Sequence, residues 1–383
     1  MKTILLVFQV AVILILAACN NSNEAILAEV ESVKAHWVPD SRVALFDVDA
    51  QVTSNKIFLS GETTIEEAKA DLIAKLQKLK LTIVDSVKVL PARKQKWAIT
   101  LISVANLREG PRHSAQLVSQ AIMGTPLQVL KSEGGWSLVQ SPDQYIAWVN
   151  NSSIVKMDEK AFSNWKNSKR VIVVEDCWLK DAEGNRINDL VKGCILQKEK
   201  TSGKVYLSLP DGRKGMVETK NLKDLEGWLS NVELIQDALV EQAMTFMGLP
   251  YLWGGTSSKA VDCSGFMKNI YFMNGYILAR DASQQINYGQ SVELKVEALE
   301  VGDLLFFGNK EKGKVTHVAM YIGDTEYIHA SGRVKINSLD ESRENYSEYR
   351  TASWLGAQRY IGQEKNEGLM PVSQHGWYIN SIQ

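Results

Sequence analysis

The chain lacks any surplus of charge. Its 43 Lys and Arg stand against 44 Asp and Glu in 383 residues, a formal net charge of −1, which removes the electrostatic footing of a nucleic-acid partner. Cysteine is scarce, with four residues, and histidine nearly so, with five. Neither Cys-x-x-Cys nor His-Glu-x-x-His occurs, and the histidines are scattered, so no metal and no cofactor is expected. A run long enough to span a membrane is also missing. The apolar stretch Ile4 to Ala18 has 15 residues, about 22 Å of helix against a hydrocarbon core of about 30 Å. After Met-Lys-Thr, residues 1–18 read instead as an export signal. With 45% hydrophobic and 23% charged residues, the rest is globular material, enough for roughly two to four domains at about 100–200 residues each.

Two of the scarce residue types fall into one pattern. The glycine-rich stretch Tyr251 to Phe266 delivers Cys263 to the start of a helix expected over 264–274. A thiol there meets the partly positive helix end and unpaired N–H groups, which favour thiolate. Downstream, 314–323 and 326–330 are β-branched, apolar runs, each with one histidine in its middle, His317 and His329. They read as a hairpin turning at Gly323-Asp324, which sets the two rings side by side. One ring can take the thiol proton while the other holds the first in its useful tautomer. A lone Cys is usually a small buried hydrophobe and a lone His a satisfied core residue. The three in this order point to a cysteine nucleophile with its base. Apolar Ile235, Ala238, Leu239, Ala243, Phe246 and Met247 predict a helix over 232–247, ended by Gly248 and Pro250, that leads straight into Tyr251.

The remaining segments carry weaker signals. Leu16-Ala-Ala-Cys19 resembles a bacterial lipobox, in which Cys19 becomes lipidated and holds the protein to a membrane. Residues 19–29 are then a polar tether, and a lipid-anchored place in the bacterial cell envelope is expected. Residues 30–98 read as a small α+β domain, with strands at 42–52 and 56–60, a helix over 64–80 opened by a Thr64/Glu67 capping box, and a strand over 81–90. Short strands and turns fill 99–160, and 168–226 repeats the theme. Cys177 and Cys194 lie in that second segment, and both a bridge and two free thiols are open. Residues 364–383, with Pro371 and Trp377, carry no assignable pattern.

Five motifs decide what these pieces resemble. Tyr251-Leu-Trp-Gly-Gly, Asp262-Cys-Ser-Gly-Phe, Val301-Gly-Asp-Leu-Leu-Phe-Phe, Thr316-His-Val-Ala-Met-Tyr-Ile-Gly and Tyr327-Ile-His-Ala occur in that order. This order resembles the NlpC/P60 cysteine peptidases of bacterial cell walls. The resemblance implies a papain-like catalytic domain over 232–363, with Cys263 as nucleophile, His317 as base, His329 as its orienting partner and Tyr251 at the oxyanion. The Gly-Trp-x-x-Val and Trp-Val spacing of 99–160 resembles bacterial SH3 barrels, with 168–226 a divergent copy. The expected fold class is therefore α+β and multidomain, and the expected assembly a monomer.

Members with paired SH3 barrels resemble endopeptidases that cut the bond between γ-D-glutamyl and a diamino acid in peptidoglycan peptides, and that require a free N-terminal L-Ala. The resemblance assigns substrate contacts to Asp262, Ser264 and Asp281, with Ser283 and Trp253 beside them and Tyr145 reaching over from the first barrel. The subfamily also places an acid in that barrel. The loop Ser114 to Gln120 has Gln116 and no acid, with Glu109 nearby. Two alternatives stay open: a hydrolase of glycan-attached stem peptides, and a catalytically silent wall-binding lipoprotein.

Overall fold

The structure, a computed structural model, describes residues 23–53, 55–91, 96–199, 205–363 and 368–379. The export signal and Cys19 lie outside the described residues. The chain divides into two compact units, 1–93 and 94–383.

The first unit corrects the reading of a tether over 23–29, residues 19–22 lying outside the described residues. Residues 23–37 form one helix, and Ile26, Val30 and Val33, on one face by their spacing, are buried in the core. Burial of that face orders a segment whose polar residues suggest a linker. Strands Phe46–Thr53 and Lys56–Thr63 form an antiparallel hairpin, and Thr82–Asp85 and Lys88–Val89 both lie parallel to the second. The helix between them, Glu66–Gln77, buries Ala68, Leu72 and Leu76. Its start differs from expectation, because Ile65 is the N-cap and no side chain caps it. The Thr64 hydroxyl instead accepts a hydrogen bond from Leu45 N at 2.9 Å, so a contact distant in sequence takes the oxygen that the capping box needs.

The second unit holds three main sheets. The first has seven antiparallel strands in the order Ile154–Met157, Trp97–Thr100, Pro126–Glu133, Trp136–Gln140, Ile146–Asn150, Val104–Arg108 and Leu117–Ile122. The second, also seven-stranded and antiparallel, lies between Arg170 and Asp224 around Val171, Leu179, Leu196 and Leu207. Within it Cys177 and Cys194 are free thiols.

The third sheet has six strands in the order Gln290–Val292, Trp354–Arg359, Leu304–Asn309, Lys314–Gly323, Glu326–Ser331 and Arg333–Ser338. Across it packs the helix Cys263–Met273, whose Phe266, Met267 and Ile270 meet Val318, Met320 and Ile328. Each of these six side chains is fully buried, which contributes about 1.5–3 kcal/mol apiece and fixes the helix start over the sheet. The helix expected over 232–247 runs Gln236–Met244 and is preceded by a separate one, Leu225–Asn231, capped by Asp224. The C-terminal segment without a readable pattern returns to this body. Leu369–Pro371 pairs antiparallel with Tyr276–Leu278, and Trp377 stands edge-on to Trp97 at 5.2 Å.

Candidate active site

Cys263 opens its helix because Asp262 caps it, accepting the Gly265 N–H at 2.7 Å. Gly265 has to be glycine: a Cβ there would lie 2.0 Å from the Gly255 carbonyl oxygen. The cap is also the hub of a buried network. Asp262 Oδ2 accepts from Gly254 N at 2.9 Å, and Arg280 meets the same carboxylate at 2.6 and 3.2 Å. Arg280, 1% exposed, further donates to Ser264 Oγ at 3.0 Å and to Ser119 Oγ at 3.1 Å, and lies 3.8 Å from Asp281. Burial alone would lower its guanidinium, but Asp262 more than offsets that, so the group is charged.

Ser119 belongs to the first sheet, whose edge strand Leu117–Ile122 docks on the glycine loop. Thr256 N donates to Gln120 Oε1 and Thr256 Oγ1 to the Gln120 carbonyl, each at 2.9 Å. The approach is close enough that a Cβ on Gly254, at φ +80°, would lie 2.7 Å from Leu117. A partly buried ion pair, Lys268 with Asp143, and a 3.2 Å contact from His375 Nε2 to the Pro142 carbonyl tie the same barrel to the nucleophile helix and the C-terminal segment.

The thiol is buried, and burial pushes it up to about 11, with Asp262 adding to the rise and the Val318 N–H opposing it. This corrects the expectation of a thiolate: burial outweighs the helix end, and the resting sulfur is protonated. His317, the residue before Val318, is 5% exposed, and burial and then Arg350 hold its imidazole well below the usual histidine range. Its Nε2 lies 2.8 Å from His329 Nδ1 across the hairpin, which turns at Asp324 and Thr325, both at positive φ. His329 is 1% exposed, and burial lowers it to about 4.

Hydrogen-bond direction along this line decides the tautomer. Asn337 Nδ2 donates to the Asn345 carbonyl at 2.6 Å, so its Oδ1 faces His329 Nε2, 2.9 Å away. His329 therefore donates through Nε2 and accepts through Nδ1. It follows that neutral His317 carries its proton on Nε2 and a lone pair on Nδ1, the form a base requires.

The other predicted residues fall in two groups. Tyr251 is half-buried beside the thiol, and burial, then Cys263, raise its hydroxyl, so it remains a donor. Tyr145 is buried, and its charge would act on Arg280. Ser264 is buried against Arg280, while Asp281 caps the short helix Ala282–Gln285 in a capping box with Gln284, and half-buried Ser283 lies in that helix. Trp253 is 61% exposed on the loop. Gln116 and Glu109 are both exposed, paired through their backbones at 3.0 Å. Both oxygens of Asp262 are occupied by protein donors, so it is first a scaffold. Sequence reasoning missed Arg280, Ser119, Gln120 and Asn337. Only Arg280, next to the predicted substrate contact Asp281, had a local signal.

A protonated cysteine at a helix start, packed on the strand of an imidazole whose far nitrogen is held by a second histidine, defines a nucleophilic cysteine hydrolase. Residues 248–355 match the NlpC/P60 family and residues 107–154 the bacterial dipeptidyl-peptidase SH3 domain. A dipeptidyl-peptidase 6 of Lysinibacillus sphaericus is 29% identical over 264 residues, 65% of this chain and 94% of the relative. A γ-D-glutamyl-L-lysine dipeptidyl-peptidase of Bacillus cereus is 29% identical, covering 64% and 76%. The murein DD-endopeptidase MepS/murein LD-carboxypeptidase of Escherichia coli K12 is 31% identical over 150 residues, 37% of this chain and 77% of the relative. The crystal structure of a Bacillus cereus NlpC/P60 family protein shares the fold at a TM-score of 0.60 and 24% identity, covering 69% of this chain and 99% of that one. The chain belongs to the NlpC/P60 family and is a cysteine peptidase.

Proposed function

We propose that this peptidase hydrolyses the γ-D-glutamyl-diamino acid bond of peptidoglycan peptides that carry a free N-terminal L-Ala. The observation that carries the reading is the docking of the first sheet on the glycine loop through Leu117 and Gln120 and on Arg280 through Ser119. We read the barrel seated beside Asp262 as closing that side of the cleft to a glycan-attached stem and leaving it to a short N-terminal fragment. Charge supports the same reading. Asp262 and Asp281 bring two carboxylates against one guanidinium, Arg280, which leaves one negative charge to balance one ammonium; an unpaired buried charge would cost several kcal/mol. Both carboxylates have protein partners, but the Asp281 side chain is 28% exposed against 9% for Asp262, so Asp281 is the more accessible of the two, with Tyr145, Ser264, Ser283 and Trp253 as further contacts.

In the reaction, the Cys263 thiol gives its proton to His317 Nδ1 as sulfur attacks the γ-carbonyl. The oxyanion accepts hydrogen bonds from the Tyr251 hydroxyl and from N–H groups at the helix start. His317 then donates the proton to the leaving amine, and water, deprotonated by the same imidazole, hydrolyses the thioester. His329 and Asn337 keep the other proton on Nε2 throughout, so Nδ1 is the nitrogen that takes up and returns the proton.

We read the second sheet as a divergent SH3 copy and Cys19 as the lipidated N-terminus that anchors the enzyme in the cell envelope. Metabolic labelling with a fatty acid, lost in Cys19→Ser, tests the anchor. For the activity, L-Ala-γ-D-Glu-diamino acid is compared with its N-acetylated form, with mass spectrometry following the released diamino acid. Cleavage of the free peptide alone is expected. Equal cleavage of both would favour attached stems as substrate.

A further inference from the structure

The nucleophile and its base sit among different charges. Asp262 and Arg280 bear on Cys263, with Asp281 3.8 Å from Arg280. Two cations act on the imidazole pair. Arg350 bears on His317, His329 and Tyr251, and Lys335 on both histidines. Lys335 stands directly opposite His329 in the strand register, so the two side chains share one face of the sheet. Arg350 is half-buried, its guanidinium over the rings of Tyr349 and Phe307 at 5.3 and 5.9 Å, with one long contact to Ser331 Oγ at 3.5 Å. Among the described residues neither cation makes an ion pair with a carboxylate. Both lower the basicity of the imidazole that has to accept a proton, so they oppose the first step unless an anion joins them.

Chemistry says where such an anion would come from. The imidazole donates its proton to the leaving nitrogen, so groups flanking it flank the leaving fragment. When that fragment is an α-amino acid, its carboxylate carbon is two bonds from the leaving nitrogen. We propose that Arg350 and Lys335 form a carboxylate subsite for the residue released, so that peptides ending immediately after the scissile bond are preferred over amidated or extended ones. The proposal rests on the function given above. Substrate and site then match in charge, ammonium to the carboxylates and carboxylate to the two cations, and the arriving carboxylate offsets those cations as the imidazole takes up its proton.

The α-carboxylate of the γ-linked D-Glu has the same chemistry, so the test separates the two. L-Ala-γ-D-Glu-diamino acid is compared with its C-terminal carboxamide and with the peptide amidated at the D-Glu α-carboxyl, on wild type, Arg350→Gln, Arg350→Lys and Lys335→Gln. A charge-assisted contact predicts that wild type favours the free C-terminal acid by about tenfold to a hundredfold in kcat/KM. That ratio should fall toward one in Arg350→Gln and be partly restored in Arg350→Lys. Equal cleavage of acid and C-terminal amide by wild type overturns the proposal, as does an unchanged ratio in both Arg350→Gln and Lys335→Gln. Discrimination confined to the D-Glu carboxyl also overturns it. Calorimetric titration of Cys263→Ala with acid and amide decides the subsite without turnover: tighter binding of the acid supports it and equal affinity refutes it. Failure of wild type to cleave any of these peptides would end the substrate reading given under the proposed function and leave that binding result standing.

Discussion

Arg280 and Asp262 form a two-point ion pair, at 2.6 and 3.2 Å, directly behind the nucleophile. The carboxylate caps the Cys263 helix and the guanidinium reaches Ser119 in the first sheet, so one pair joins the reacting residue to the barrel that bounds the cleft.

Arg280→Met should therefore destabilise the second unit strongly, because it leaves Asp262 charged and buried. A loss of about 3–5 kcal/mol is expected from breaking such a pair on one side, read by denaturant unfolding. The double variant Arg280→Met/Asp262→Asn should recover part of it. A loss below about 1 kcal/mol, typical of exposed pairs, would show that the pair does not hold this junction.

The imidazole line makes graded predictions. Cys263→Ala and His317→Ala should abolish turnover with the fold intact. His329→Ala should keep measurable activity, and Asn337→Leu should lower kcat by about tenfold or more, within the range of general acid-base effects, with little change in KM. Steady-state kinetics beside circular dichroism checks all four. Wild-type kcat in Asn337→Leu would show that the amide does not set the tautomer.

Acidity should act on rate and stability in the same direction. His317 has to be neutral to accept the proton, and its pKa lies well below 6.5, so the acid limb of kcat/KM should fall below pH 6.5. With the thiol pushed up to about 11, no rise from a free thiolate is expected at neutral pH. His329 is held neutral to about 4 in the folded protein, while the unfolded chain takes up its proton below about 6.5. The unfolded state thus binds more protons between these values. The stabilisation is complete above pH 6.5 and is lost as pH falls through 4. Unfolding midpoints across pH 4–8 measure this, and a midpoint that rises on acidification in that window would contradict it.

Truncation after Gln363 should destabilise the second unit although it removes only a tail. Leu369, Val372 and Tyr378 are 0–2% exposed, and each buried apolar side chain contributes about 1.5–3 kcal/mol. A large fall in melting temperature is expected, and an unchanged one would show that the Leu369–Pro371 pairing is dispensable.

Several of these features were legible along the chain because their physics is local. Gly254 and Gly255 before Cys263 and one histidine within each of two β-branched runs are relations between near neighbours, which turn and strand preferences constrain directly. The protonation state of Cys263 was not among them: the helix end visible in sequence argues for thiolate, while the burial of the sulfur, which only the fold brings about, argues harder for the thiol.

The decisive polar contacts of this protein are long-range. Arg280 finds Ser119 from 161 positions away and Thr256 finds Gln120 from 136, and no periodicity or propensity links residues so far apart. Asn337 looks like any strand asparagine until the hairpin turns it onto His329. Trp377 belongs to no local pattern and packs, partly buried, against the core only when Trp97 is beside it. Residue order thus set the nucleophile, its base and the turns that present them, through interactions that act within a few residues. The charge state of the thiol, the tautomer of the base and the covering of the cleft depend on burial and on partners from other elements, and these exist only once the three sheets of the second unit have packed together.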